Sequence, residues 1–141
     1  MKKLGIICVC IFGMICLNWS CGDRTNSVPV ANVNFTVQLH SCELVHVGGY
    51  EYFSGAIKGL VVYRVDMTNF CAYDRACPYD WKENGRVSID SLNPFELICD
   101  RCQSTFNILT GYPIGTTKAD APLRAYKATL INDFNLRISN Y

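Results

Sequence analysis

Beyond residue 32 the chain nowhere repeats apolar residues at helical spacing for three turns; it alternates them. Phe35, Val37 and Leu39 are separated by Thr36 and Gln38, and Phe134, Leu136 and Ile138 by Asn135 and Arg137. A period of two is that of a strand with one face buried. Short β-rich runs at 60–63, 70–73, 86–90, 95–99, 105–108 and 123–130 extend the pattern. Turn-forming pairs separate them: Gly48-Gly49, Asn84-Gly85, Asn93-Pro94, Thr110-Gly111 and Asn132-Asp133. So many short strands with such frequent turns predict an all-β fold, an antiparallel sandwich or barrel.

The start of the chain reads differently. Met1-Lys2-Lys3 is basic, residues 4–17 are an unbroken apolar run, and Ser20 precedes Cys21. This is the layout of a secretory signal. The run falls short of the roughly 20 apolar residues that a spanning helix needs. Its end resembles a bacterial lipoprotein signal, which implies cleavage before Cys21 and acylation of that thiol. Ordinary secretion and a retained anchor are the alternatives. Residues 1–20 are then signal, 21–32 a polar tether, and 33–141 one domain, long enough for a real core. The expected location is the bacterial cell envelope, on a membrane through the lipid. The formal net charge is +1, with no basic stripe, which speaks against nucleic acid.

Nine cysteines reduce to five in the domain once Cys8, Cys10, Cys16 and Cys21 are set aside: Cys42, Cys71, Cys77, Cys99 and Cys102. An odd number cannot pair completely within one chain. Cys42 and Cys71 read as buried thiols or a structural pair. The other three lie on two loops that each leave a strand: "CPYDW" (Cys77 to Trp81) and "CDRCQSTF" (Cys99 to Phe106). A hairpin between them can bring both loop tips to one place. In an oxidising compartment the plain structural alternative is a disulfide, Cys99 with Cys102 or Cys77 with either, worth about 2–4 kcal/mol. In that alternative Tyr79 and Trp81 pack, Ser104 bonds within its turn, and His40 and His46 are ordinary surface or core residues. A zinc ribbon wants two Cys-x-x-Cys knuckles, and only one is present. A thioredoxin-like dithiol needs a helix after its first cysteine. No Ser/His/Asp set or carboxylate pair points to an independent enzyme.

Cys-Pro-X, then Cys-X-X-X-X-Ser-X-Phe some twenty residues on, resembles a Rieske iron–sulfur domain. "GYPIGTTKADAPLRAY" (Gly111 to Tyr126) resembles the loop and strand that cover the cluster in that family. "GGYEYFSGAIKGLVVYRVDMTNFCAYDRACPYDW" is similar to exported Rieske-like lipoproteins of the Bacteroides lineage. The resemblance runs from about Val33 onward. It implies a Rieske-like antiparallel β-sandwich or barrel with two cluster-binding-type loops at one tip. In the family a [2Fe–2S] cluster is held by two Cys and two His. Here Cys77 and Cys99 match the cysteines, while Tyr79 and Cys102 stand at the histidine positions. Gln103 replaces a glycine, and Ser104 matches the serine that hydrogen-bonds the cluster. The function so implied is a [2Fe–2S] electron-transfer module held by Cys77, Cys99, Cys102 and Tyr79, with a redox or envelope protein as partner. The alternative is a cluster-free binding or structural lipoprotein with a disulfide in the cluster's place.

Overall fold

The computed structural model describes residues 28–141; Cys21, the expected lipid site, lies outside them. The strands in chain order are β1 (Asn34–Gln38), β2 (Tyr50–Phe53), β3 (Leu60–Arg64), β4 (Phe70–Asp74), β5 (Val87–Ile89), β6 (Glu96–Cys99), β7 (Thr105–Asn107), β8 (Pro113–Ile114), β9 (Ala125–Asn132) and β10 (Asn135–Ser139). The helical elements among the described residues are 3-10 turns of three residues each. None of the described helices is long and apolar enough to cross a membrane.

All pairings are antiparallel. A six-stranded sheet runs β1-β10-β9-β4-β3-β2, and a four-stranded sheet runs β5-β6-β7-β8. β3 explains the arrangement. All five of its residues are buried, so it reads as a continuous apolar run rather than an alternating one. The pleat still sorts its side chains. Leu60 and Val62 join one core with Val37, Leu39, Leu136 and Ile138. Val61 and Tyr63 join the other with Val87, Leu97 and Phe106 from the small sheet. The large sheet is therefore covered on both faces, and the small sheet lies against one of them.

The expected strands all form, with two local corrections. Leu39 is buried but lies past β1, in the 3-10 turn Leu39–Ser41. Phe134 is 64% exposed and belongs to the two-residue turn between β9 and β10, not to the inward face of β10. The side-chain oxygen of Asn132 accepts the Phe134 N–H (3.0 Å), which closes the turn before the strand begins. β2 and β8 were not legible in the sequence. Val28 is already buried, and its carbonyl accepts a hydrogen bond from the Arg124 guanidinium at 2.5 Å.

Candidate metal centre

The first loop begins where β4 ends. The buried Asp74 carboxylate accepts the N–H groups of Ile57 (2.8 Å), Lys58 (3.1 Å) and Ala76 (2.9 Å), fixing the chain just before Cys77. The loop then closes on itself. Cys77 N–H donates to Gly85 C=O (3.1 Å) and Gly85 N–H to Asp80 C=O (2.8 Å). The approach is close: a Cβ on Gly85 would sit 2.3 Å from the Cβ of Asp80. The Asn84-Gly85 pair thus serves two needs, since Asn84 takes the left-handed conformation at φ 67°.

The second loop leaves β6 at Cys99. Cys99 N–H donates to Ser104 C=O (2.9 Å), and Gln103 N–H returns to Cys99 C=O (3.2 Å). Gln103 has φ 61°, the region that favours glycine. Its side-chain amide donates to the carbonyls of Cys99 (3.2 Å) and Asp100 (3.1 Å), contacts a glycine cannot make. The two loops are tied together by Arg86 N–H to the Asp100 carboxylate (2.9 Å) and Asp100 N–H to Arg86 C=O (3.0 Å).

This framework brings Cys77, Cys99 and Cys102 to one point. Cys77 and Cys99 are fully buried, and Cys102 is half-buried. The sulfurs of Cys77 and Cys102 are 3.7 Å apart. A disulfide needs about 2.0 Å, and all five cysteines of the described chain are free thiols. The disulfides among Cys77, Cys99 and Cys102 are therefore not formed. Cys42 and Cys71 are not a pair either. The Cys42 thiol donates to the carbonyls of Gln38 and Leu39 (both 3.6 Å), and that of Cys71 to Leu109 C=O (3.4 Å).

Two turns aim backbone dipoles at the buried sulfurs. Cys77 sulfur accepts N–H from Asp80 and Tyr79, and Cys99 sulfur accepts N–H from Cys102 and Arg101. Burial pushes both thiols up from their ordinary range, and these N–H groups pull the other way. Ser104, fully buried, joins the site to its cover. Its hydroxyl oxygen accepts the Cys102 thiol proton (3.0 Å) and the Ala119 N–H (3.1 Å) from the 115–122 loop.

Tyr79 lies at the mouth, 56% exposed, beside Asp80, Arg101, Cys102 and Lys118. His40 and His46 are exposed and lie on the segment after β1, and the cluster of donor atoms contains neither. A residue that the sequence reading passed over completes that cluster. One ligand atom each from Cys77, Asp80, Cys99 and Cys102 lie within 4.8 Å of one another. The signal for Asp80 was spacing: Cys77-x-x-Asp80 repeats the interval of Cys99-x-x-Cys102. These residues fit a thiolate-bound iron or similar ion. The two-histidine form of a [2Fe–2S] centre finds no imidazole among them.

No protein-family model and no curated protein matches the sequence. Solved structures do. A chain from the complex of reduced oxygenase and oxidized ferredoxin in carbazole 1,9a-dioxygenase is 20% identical, with a TM-score of 0.53, over 76% of this chain and 93% of that one. The ferredoxin of carbazole 1,9a-dioxygenase from Nocardioides aromaticivorans IC177 is 19% identical, with a TM-score of 0.49, over 80% of this chain and 100% of that one. Together with the two antiparallel sheets and the paired cysteine loops, the first of these likenesses establishes the architecture: an all-β, Rieske-like fold.

Proposed function

We propose that this domain is a small electron carrier whose redox centre is iron held by the sulfurs of Cys77, Cys99 and Cys102. One observation carries the reading: three thiols converge at paired loops of a Rieske-like fold, and the two buried ones each accept two backbone N–H groups. An N–H aimed at sulfur contributes most when the sulfur is an anion, and thiolate is the form that binds metal. Iron bound there supplies a one-electron couple. A [2Fe–2S] cluster and a single iron are both carriers of this kind.

The chain's own residues supply the rest. Burial of Cys77 and Cys99 keeps water from their sulfurs. Ser104 orients Cys102 through the 3.0 Å contact and is itself held by Ala119. The half-buried Cys102 side, rimmed by Tyr79, Arg101 and Lys118, is where an electron enters or leaves. The partner is a second redox protein docked at that rim, a reading supported by the ferredoxin and oxygenase named together in the neighbouring complex. In this proposal Cys21 bears the lipid that holds the domain on an envelope membrane, as in the lipoproteins its signal resembles.

The test is to purify the full-length protein from its native envelope without oxygen, assay its iron and record its voltammogram. Stoichiometric iron with a reversible one-electron couple is expected. Iron-free protein with no couple overturns the proposal.

A further inference from the structure

Each of the two loops offers a cysteine at position i and a second donor at position i+3. The first is Cys77-Pro78-Tyr79-Asp80, the second Cys99-Asp100-Arg101-Cys102. The likeness extends to the backbone. In both, the N–H groups of residues i+2 and i+3 point at the sulfur of residue i. In both, residue i+2 is exposed: Tyr79 in one, Arg101 in the other. In both, the side chain of residue i+3 turns inward to the shared cluster. This is the geometry of two metal knuckles facing each other, with a carboxylate in place of one thiolate.

We infer that Cys77, Cys99, Cys102 and Asp80 form a single-ion tetrahedral site, with Asp80 as its oxygen ligand. The inference deepens the iron-carrier reading and takes from it the identity of the ion as iron. One distance that suits such a site is that between the sulfurs of Cys77 and Cys102. A tetrahedral ion with metal–sulfur bonds of about 2.3 Å sets its sulfurs about 3.8 Å apart. The observed separation is 3.7 Å. Cys99 sulfur lies 3.9 Å from the Asp80 Oδ2, and all four donor atoms fall within 4.8 Å. In a two-iron unit the ligands divide two and two across a rhomb of iron and sulfide. The pairing implied by the Rieske resemblance puts Cys77 and Cys102 on different irons, with the rhomb between them. As placed, sulfurs at 3.7 Å do not straddle such a rhomb.

The knuckle also explains Tyr79. At position i+2 its N–H is directed to the Cys77 sulfur, and the residue is largely exposed. The inward position next along the chain belongs to Asp80. A carboxylate suits the task, since its oxygens are accepted metal ligands beside thiolates.

The experiment has two parts. Metal and acid-labile sulfide are first measured on the full-length protein purified without oxygen. One iron per chain and no labile sulfide are expected. Two irons with two sulfides overturn the single-ion inference and leave the electron carrier standing. One zinc in place of iron supports the single-ion site and overturns the carrier. The metal is then stripped and cobalt(II) is titrated in as a spectroscopic probe. One equivalent should bind with the intense visible bands of a tetrahedral thiolate site. Losing even an outer partner of a ligand costs about 10–100-fold in affinity, so Asp80→Asn should weaken binding by more than about 100-fold. Asp80→Cys should restore tight binding and add thiolate-to-cobalt absorption, a gain that a misfolded variant cannot show. Failure of wild type to bind cobalt(II) tetrahedrally overturns the inference. So does a Tyr79→Phe effect larger than that of Asp80→Asn.

Discussion

Gly85→Ala isolates the first loop from every other feature of the fold. The new Cβ would lie 2.3 Å from the Asp80 Cβ, 3.0 Å from the Asp80 carbonyl oxygen and 3.1 Å from its carbon. Ordinary contact begins near 3.4 Å, so the two residues must part by about 1.1 Å. Gly85 N–H to Asp80 C=O is now 2.8 Å, and Cys77 N–H to Gly85 C=O is 3.1 Å. A movement of that size breaks at least one of them, and Cys77 and Gly85 are both buried. A lost buried hydrogen bond costs about 1–3 kcal/mol. Overpacking strain is also about 1–3 kcal/mol. The two overlap, because the movement that breaks the bond relieves the clash, so the net loss is about 2–4 kcal/mol. With a urea m-value of about 2 kcal/mol/M, the midpoint should fall by about 1–2 M. The assay is urea unfolding of the metal-free protein followed by near-ultraviolet circular dichroism. An unchanged midpoint would show that the loop yields freely there, and the claim that Gly85 fixes Asp80 would fail.

Other perturbations test other parts. Ser104→Ala should cost about 1–3 kcal/mol, because it leaves the buried Ala119 N–H without its acceptor; a denaturation midpoint equal to wild type would refute this. With iron bound, Asp80→His exchanges an anionic donor for a neutral one and should raise the potential by about 100–300 mV, judged from the span between all-thiolate and two-histidine clusters. A shift downward in voltammetry would sink the assignment of Asp80 as a ligand. The Asp66 carboxyl is held at about 2 by the Asn69 side-chain amide (2.7 Å) and the N–H groups of Thr68 and Asn69 (both 2.8 Å). Its folded pKa is depressed, so the turn it caps is fully supported above about pH 4 and loosens as pH falls through about 2. Carbon-detected NMR should find that midpoint, and one near 4 would contradict the bonding. Cys21→Ser should release the domain from membranes on fractionation; retention equal to wild type would rule out a lipid at that thiol.

Most strands were legible because their side chains alternate against a single core, as in β1 and β10. β3 was legible for another reason, as a short apolar run with both faces covered. β2 escaped notice because Tyr-Glu-Tyr-Phe buries none of its residues fully and lies at the sheet edge. β8 is two residues long and starts with Pro113, which has no N–H to announce a ladder; it too is an edge. At the candidate metal centre, cysteines declared themselves by rarity and spacing. Asp80 did not, because most aspartates in loops face water. Only the folded turn reveals that residue i+3 points inward while Tyr79, at i+2, points out. The charged core residue Arg64 was equally hidden. It is buried, and its guanidinium donates to the carbonyls of Leu44, Val45, Asp66 and Met67, an arrangement fixed by tertiary structure alone.

The centre and the core between the two sheets are built from the same residues. Cys77 and Cys99 belong to the cluster that includes Val61, Tyr73, Leu97 and Phe106. Burial there disfavours a bare thiolate, yet each of these sulfurs is met by two backbone N–H groups that favour one. The opposing influences are reconciled when a cation sits among the sulfurs. It neutralises the buried charge while the N–H dipoles keep their anionic acceptors. Without it, the thiols hold their protons and the dipoles face weak neutral acceptors. The turn geometry suits an anionic sulfur better than a neutral one. The same bonds, Arg86 to Asp100 between the loops and Cys77 to Gly85 within the first, would hold the candidate ligands in place before an ion arrived. The hairpin β5–β6 carries both its share of the core and Cys99, so the small sheet and this part of the site share one element.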